Sequence, residues 1–203
     1  MPKTEEQNKK IRDERQEQIV QAALKVFARR GMAAAKIGDI AKEAGLSHGL
    51  VYHYFASKEE IFTTIVKRAL EGSALVVQYA KMQPGTPLDK LRWMTQMILD
   101  SINGEGAYLF LIMTQAFTSD AVPAEVKELL SGEAASAAMQ NLIPIIQDGQ
   151  RTGDIAKDDP EKLAVLYFSM IQGLAINRVH QQDFAMPDAE MVLRILTARS
   201  NPV

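Results

Sequence analysis

No cysteine occurs among the 203 residues, and that absence excludes disulfides, thiolate zinc sites and cysteine nucleophiles. No run of about 18 apolar residues exists, so the chain is not expected to cross a membrane. Residues 1–15, MPKTEEQNKKIRDER, hold no apolar signal-peptide core, and export is not expected. Together these three absences predict a cytoplasmic protein. A phosphate-cradling glycine loop and a G-x-S-x-G nucleophile turn are missing too. Asp158 and Asp159 stand at a helix start, where acids cap and favour the dipole. His180 and Asp183 offer two metal ligands without a third. No catalytic residue, metal or cofactor is therefore expected, and the chain does not read as an enzyme. The alternation that marks strands is also absent, which predicts an all-α fold of about nine helices.

What is present is an uneven spread of charge. The net charge of −2 divides into +4 for residues 1–68 (13 Lys/Arg against 9 Asp/Glu) and −6 for residues 69–203 (10 against 16). Such asymmetry is expected when one part of a chain meets nucleic acid and the other does not. The length suffices for one or two domains with a proper core.

The positive part contains the most informative stretch, residues 35–58, AKIGDIAKEAGLSHGLVYHYFASK. Ile37, Ile40, Ala41 and Ala44 recur at helical spacing and give one helix an apolar face. Gly45 suits the left-handed conformation that ends a helix, and Ser47 is a good N-cap for the next. That second helix, from about His48 to Phe55, would be roughly 12 Å long, about the width of the DNA major groove. Helix, glycine turn and short second helix make a helix-turn-helix. Val51 and Phe55, at i and i+4, should face inward beside Leu46. His48, Gly49, Leu50, Tyr52 and His53 are left on the outer arc, with no Asp or Glu between Ala44 and Lys58. Such an arc suits an anionic partner. Glycine inside a helix costs about 1 kcal/mol relative to alanine, and close approach of a phosphate backbone would supply a reason for Gly49. An exposed Leu50 could contact a thymine methyl. Ser57 with Glu60 reads as a capping box, which sets Lys58 at a helix N-terminus attractive to anions.

Residues 16–66 resemble the DNA-binding domain of the tetracycline-repressor (TetR) family of bacterial regulators. The resemblance rests on AALKVFARRG (22–31), IGDIAKEAGLS (37–47) and HGLVYHYFASKEEIF (48–62). It implies an all-helical homodimer whose C-terminal helices bind a small ligand and thereby release DNA. It also implies that His48, Tyr52, His53 and Lys58 meet phosphates and that Gly49 allows close approach. Lys36, Ser47 and Leu50 complete the expected DNA-binding set. The chain departs from the family pattern in three places. His48 stands where Lys is frequent, Leu50 where a small polar residue is common, and Ala35 with Lys36 where the first motif helix has a Thr-rich start.

Punctuation organises the rest. Residues 1–15 are expected to form a charged, frayed arm, followed by a DNA-binding domain over 16–66 and a ligand-binding and dimerisation domain over 67–203. The first helix spans about 16–30, with Ile19, Val20, Ala23, Leu24 and Phe27 inward and Gly31 as its end. Another runs from Ser57 to about residue 80, before the breaker Gln83-Pro84-Gly85. Thr86-Pro87 restarts a helix on the stripe Leu88, Leu91, Met94, Ile98 and Ile102, ending at Gly104. Residues 107–117 are apolar on nearly all sides and predict a central buried helix. Pro123 opens a long helix to about residue 150, kinked at Pro144, Pro160 opens one to about 180, and Pro187 the last, to about 199.

Eight of the ten methionines fall after residue 80, and methionine suits adaptable apolar pockets. Trp93, Met97, Tyr108, Met113, Phe117, Tyr167, Phe168 and Met170 are the expected ligand-binding residues, with Gln96, Gln115, Gln172 and Asn177 nearby. No Lys or Arg lies on 107–117, so the expected small-molecule effector is mainly apolar or aromatic. The homodimer is expected to form through the last two helices. Leu163, Leu166, Met170, Ile171 and Leu174 line one, and Met191, Val192, Ile195 and Leu196 line the other. The chain thus reads as a ligand-responsive transcriptional repressor that binds a near-palindromic double-stranded DNA operator as a dimer. The alternative is a helical ligand-binding or scaffold protein whose helix-turn-helix no longer regulates DNA.

Overall fold

In the computed structural model, residues 5–181 and 183–197 are described, and every regular element among them is an α-helix. In order these are α1 (Glu5–Ala34), α2 (Ile37–Ala44), α3 (His48–Tyr54), α4 (Lys58–Met82) and α5 (Pro87–Asn103). Then come α6 (Ala107–Thr118), α7 (Ala124–Ser131), α8 (Glu133–Thr152), α9 (Pro160–His180) and α10 (Ala189–Leu193). An isolated antiparallel bridge, Ile155 to Thr197, is the one extended pairing among the described residues.

The predicted punctuation recurs with its physical cause. Thr86 Oγ1 accepts the Asp89 backbone N–H at 3.2 Å while Asp89 Oδ2 accepts the Thr86 N–H at 2.9 Å, a reciprocal cap ahead of Pro87. Asp159 Oδ1 caps α9 by accepting the N–H groups of Glu161 and Lys162. Three expectations are corrected. Residues 5–15 are helical and belong to α1: Glu, Gln, Lys and Arg are good helix formers, so a charge-dense segment need not fray. Residues 1–4 lie outside the described residues. The long helix expected from Pro123 is two, because extended backbone at Gly132 (φ −86°, ψ 175°) separates α7 from α8. α8 itself runs through Pro144. The last helix stops at Leu193, and the chain beyond it returns to the α8–α9 link, where the Ala156 N–H donates to the Leu196 carbonyl at 2.9 Å. Its expected end at Arg199 lies outside the described residues.

The chain forms two compact units. The first comprises Met1–Arg68 with Ile112–Glu128, and the second Ala69–Leu111 with Leu129–Val203. A break near residue 66–67 was expected. The return of 112–128 to the first unit was not, and α4 and α6 each contribute to both. α6 is not buried all round: Ala107, Ile112 and Ala116 are buried, whereas Phe117 is 62% exposed.

The core of the second unit is built from α4, α5, α8, α9 and α10, with Leu91, Met94, Ile102, Leu142, Ile146 and Ile171 fully or almost fully buried. At its centre the Tyr167 hydroxyl donates to Thr95 Oγ1 (3.0 Å), whose own proton goes to the Leu91 carbonyl (2.7 Å). Burial pushes the Tyr167 phenol well above its ordinary range, so it stays neutral and its polar atom is satisfied. Of the residues expected at a dimer contact, Leu163, Ile171, Val192 and Leu196 are buried in the chain's own core, and Met170 and Leu174 are packed against it. Leu166, Met191 and Ile195 remain exposed, joined by Val165.

Gly149 lies where α8 meets Ile155. A Cβ there would sit 2.4 Å from Ile155 Cδ1 and 2.7 Å from Cγ1. Gly149→Ala should therefore cost about 1–3 kcal/mol through overpacking, read as a lower midpoint in urea denaturation. An unchanged midpoint would show that Ile155 moves aside freely.

Candidate nucleic-acid interface

The first unit is built around α1, whose regular geometry ends where the sequence predicted. Gly31 takes φ 76°, ψ 155°, a conformation that favours glycine, so the hydrogen-bonded ladder breaks there even though helical turns resume to Ala34. Ile19, Ala23 and Phe27 are fully buried on its inner face, and the Phe27 ring meets Phe62 of α4 edge to face at 5.4 Å.

α2 buries Ile37, Ile40, Ala41 and Ala44, the four residues of the predicted apolar face. Its end is held in two ways. Gly45 is left-handed (φ 65°), with its N–H directed at the Ala41 and Lys42 carbonyls, and Gln18 Nε2 of α1 donates to the Ala44 carbonyl at 2.7 Å. Two partly exposed ion pairs, Arg29–Glu43 (3.5 Å) and Arg30–Asp39 (3.0 Å), also join α1 to α2. Such pairs add little energy each.

α3 follows Ser47, whose Oγ accepts the Leu50 N–H at 3.2 Å. Val51 (fully buried) and Phe55 anchor it inward. The opposite arc presents His48, Gly49, Tyr52 and His53, all exposed, with Tyr52 half exposed and its ring edge to face with His48 at 5.0 Å. Lys36 is exposed just before α2, and Ser47 just before α3. Leu50 was expected to be exposed and is half-buried. A Cβ on Gly49 would meet no atom within 4 Å, so nothing in the folded chain itself requires glycine there.

Lys58 departs most from expectation. Its ammonium donates to the carbonyls of Met32 (3.0 Å), Ala33 (2.8 Å) and Ala35 (2.9 Å). An ammonium has three hydrogens, and all three are engaged within the protein. The role expected from position alone, a free cation at a helix start, is not the one the geometry gives it. The Ser57–Glu60 cap is present, but Glu60 Oε2 takes the N–H of Ala56 (2.6 Å) while Ser57 Oγ takes that of Glu60 (3.2 Å).

Gln115, expected near a ligand, instead belongs to the first unit, where its Nε2 donates to the Phe27 carbonyl at 3.1 Å. The two residues are 88 apart in sequence, and no local pattern signals such a pair. Gln115 Oε1 is buried with no hydrogen-bonding partner among the described residues.

The eight expected ligand-binding residues divide between the two units. Met113 and Phe117 belong to the first unit, and the other six to the second. Tyr167 is core, with its hydroxyl bonded to Thr95. Trp93, Phe168 and Met170 are partly buried against that core, and Met97 is exposed. Tyr108 lines a depression of about 430 Å³ in the second unit, together with Gly104, Ala107, Arg178 and Val179. Among the described residues there is no cluster of three metal-ligating side chains and no helix long and apolar enough to cross a membrane.

With this geometry in view, the likenesses to known proteins fall on the same elements. Residues 19–65 match the family model described as bacterial regulatory proteins, tetR family. The chain is 31% identical over 137 residues to the HTH-type transcriptional activator FasR of Mycolicibacterium smegmatis, a match covering 67% of this chain and 62% of that one. It is 28% identical over 166 residues to the HTH-type transcriptional regulator PksA of Bacillus subtilis, covering 81% and 78%. The crystal structure of the TetR-family regulator PfmR from Thermus thermophilus superposes with a TM-score of 0.69 at 26% identity, over 86% of this chain and 92% of that one. The match thus spans less than two thirds of FasR and more than three quarters of PksA. The helix-turn-helix match and the likeness across both units agree: residues 19–65 match the tetR family of bacterial regulatory proteins, and the chain as a whole is similar to regulators of that family.

Proposed function

We propose that this protein is a ligand-responsive transcriptional regulator, acting as a repressor, that binds a near-palindromic DNA operator as a homodimer. The observation that carries the reading is the outer arc of α3. His48, Tyr52 and His53 stand exposed around Gly49, with no acid among them, on a helix capped and anchored from below. Gly49 has no internal reason to be glycine, and a DNA backbone lying against α3 supplies an external one. Ser47, Leu50 and Lys36 flank the same arc. Paired α3 helices would be presented to successive major grooves, roughly 34 Å apart, by the two-fold symmetry of a dimer.

The dimer contact is assigned to the exposed apolar residues of the C-terminal helices: Val165 (52% exposed) and Leu166 (56%) on α9, with Met191 (54%) on α10 and Ile195 just beyond it. The effector is a small, mainly apolar molecule bound within the second unit, among side chains of α5, the start of α6 and α9, with Trp93, Met97, Tyr108, Phe168 and Met170 as candidates. Arg178 stands beside Tyr108 at the depression, so an effector lodged there meets one cationic side chain although α6 carries none. An effector that releases DNA must bind the DNA-free form more tightly, and operator must weaken its binding by the same factor.

Selection of bound genomic fragments tests the reading. Retention should be sequence-specific, with affinity falling as salt rises by a log–log slope of about −0.9 per phosphate contact. Retention without sequence preference would favour the scaffold alternative. Gly49→Ala should stabilise the free protein by up to about 1 kcal/mol in chemical denaturation, yet weaken operator binding. A variant more stable and equally tight would remove Gly49 from the interface. Leu166→Glu should leave the fold intact and shift sedimentation from dimer to monomer. A dimer that survives would move the contact away from α9.

A further inference from the structure

The carbonyls that Lys58 reaches lie in the last turn of α1 and just beyond it, where backbone acceptors have no helical partner. Ala35 lies just before α2, and Lys58 opens α4 after the short link that follows α3. One ammonium therefore joins the two ends of the helix-turn-helix, closing a loop whose bonded residues are 23 to 26 apart in sequence. Two of the three bonds are partly buried. A phosphate could take a hydrogen from Nζ only by leaving one of those carbonyls unsatisfied, which is costly in proportion to its burial. Lysine suits the task because its donors radiate from a single point, whereas the arginine fork is planar and fits two parallel acceptors.

We propose that Lys58 is a positioning residue. It clamps the start of α2 to the start of α4 and so fixes the direction in which α3 is presented, and it is not itself a phosphate ligand. The inference rests on the DNA-binding reading above, but the clamp can be tested without DNA.

Two variants of the full chain separate the roles. Lys58→Met removes both charge and clamp. Lys58→Arg keeps the charge that a phosphate would need and disturbs the convergence on three carbonyls. For a clamp, both variants should lose about tenfold or more in affinity for a selected operator while binding to random DNA changes little. The salt slope for random DNA should stay at the wild-type value. In the DNA-free protein, amide hydrogen exchange over residues 35–44 should accelerate in both variants, with α8 and α9 unchanged. A slope reduced by about 0.9 in Lys58→Met and restored in Lys58→Arg would make Lys58 a phosphate ligand and overturn the clamp. So would unaltered exchange over residues 35–44. If Lys58→Met does not fold, Lys58→Arg alone decides, since full operator affinity in that variant refutes the clamp. Absence of salt-dependent, sequence-specific binding by the wild type would remove the functional reading, and the exchange measurement would still judge the clamp.

Discussion

A helix of seven residues has too few internal hydrogen bonds to hold its shape in water, since nucleation costs more than so short a run returns. α3 is such a helix, and it is also the element on which the proposed DNA reading rests. Its existence depends on two inward side chains, Val51 and Phe55, and on the apolar seat beneath them. The same unit's interior holds the Phe27 and Phe62 rings of α1 and α4, edge to face. The Ser47 cap, the left-handed Gly45 and the Gln18 bond to Ala44 then fix where α3 begins and how α2 delivers the chain to it. The outer arc stays exposed, which leaves His48, Gly49, Tyr52 and His53 open to a partner.

Much of this was legible because it is local. The apolar face of α2, the glycine turn, the serine cap and the inward pair on α3 all follow from residues within one or two turns of each other, and each is found as the spacing predicts. The caps of α5 and α9 were legible in Thr86, Pro87, Asp159 and Pro160 for the same reason. What could not be read depends on residues distant in sequence. Lys58 looked like a free cation at a helix start, and only the fold brings Met32, Ala33 and Ala35 around it. Tyr167 looked like a pocket residue until Thr95, 72 residues away, proved to hold its hydroxyl. The charged arm failed differently. Its composition was read as solvation, which is right for its side chains, but the same residue types also favour helix.

The charge asymmetry and the two compact units describe one division of labour. The positive share of the sequence is the part that builds the first unit's α1 to α3, whereas most of the acidic residues fall after it. The second unit is stabilised by an apolar core with a single satisfied tyrosine–threonine pair, and its surface keeps Val165, Leu166, Met191 and Ile195 exposed. Surplus apolar surface of this kind on a well-packed unit suits a contact between copies.

The seat of α6 on α1 has a half-finished character. Gln115 gives its amide hydrogen to the Phe27 carbonyl, in the last regular turn before Gly31, yet its own oxygen is buried unpaired. A buried acceptor without a partner offsets much of what the neighbouring bond contributes. Separating this contact would let water reach that oxygen, so the net cost of local opening is smaller there than at the fully satisfied Tyr167–Thr95 pair. Regions with the lowest opening energy are where proteins fluctuate first. The C-terminal half of α6 is thus joined to α1 by a contact that favours the closed arrangement less than its buried hydrogen bond alone implies.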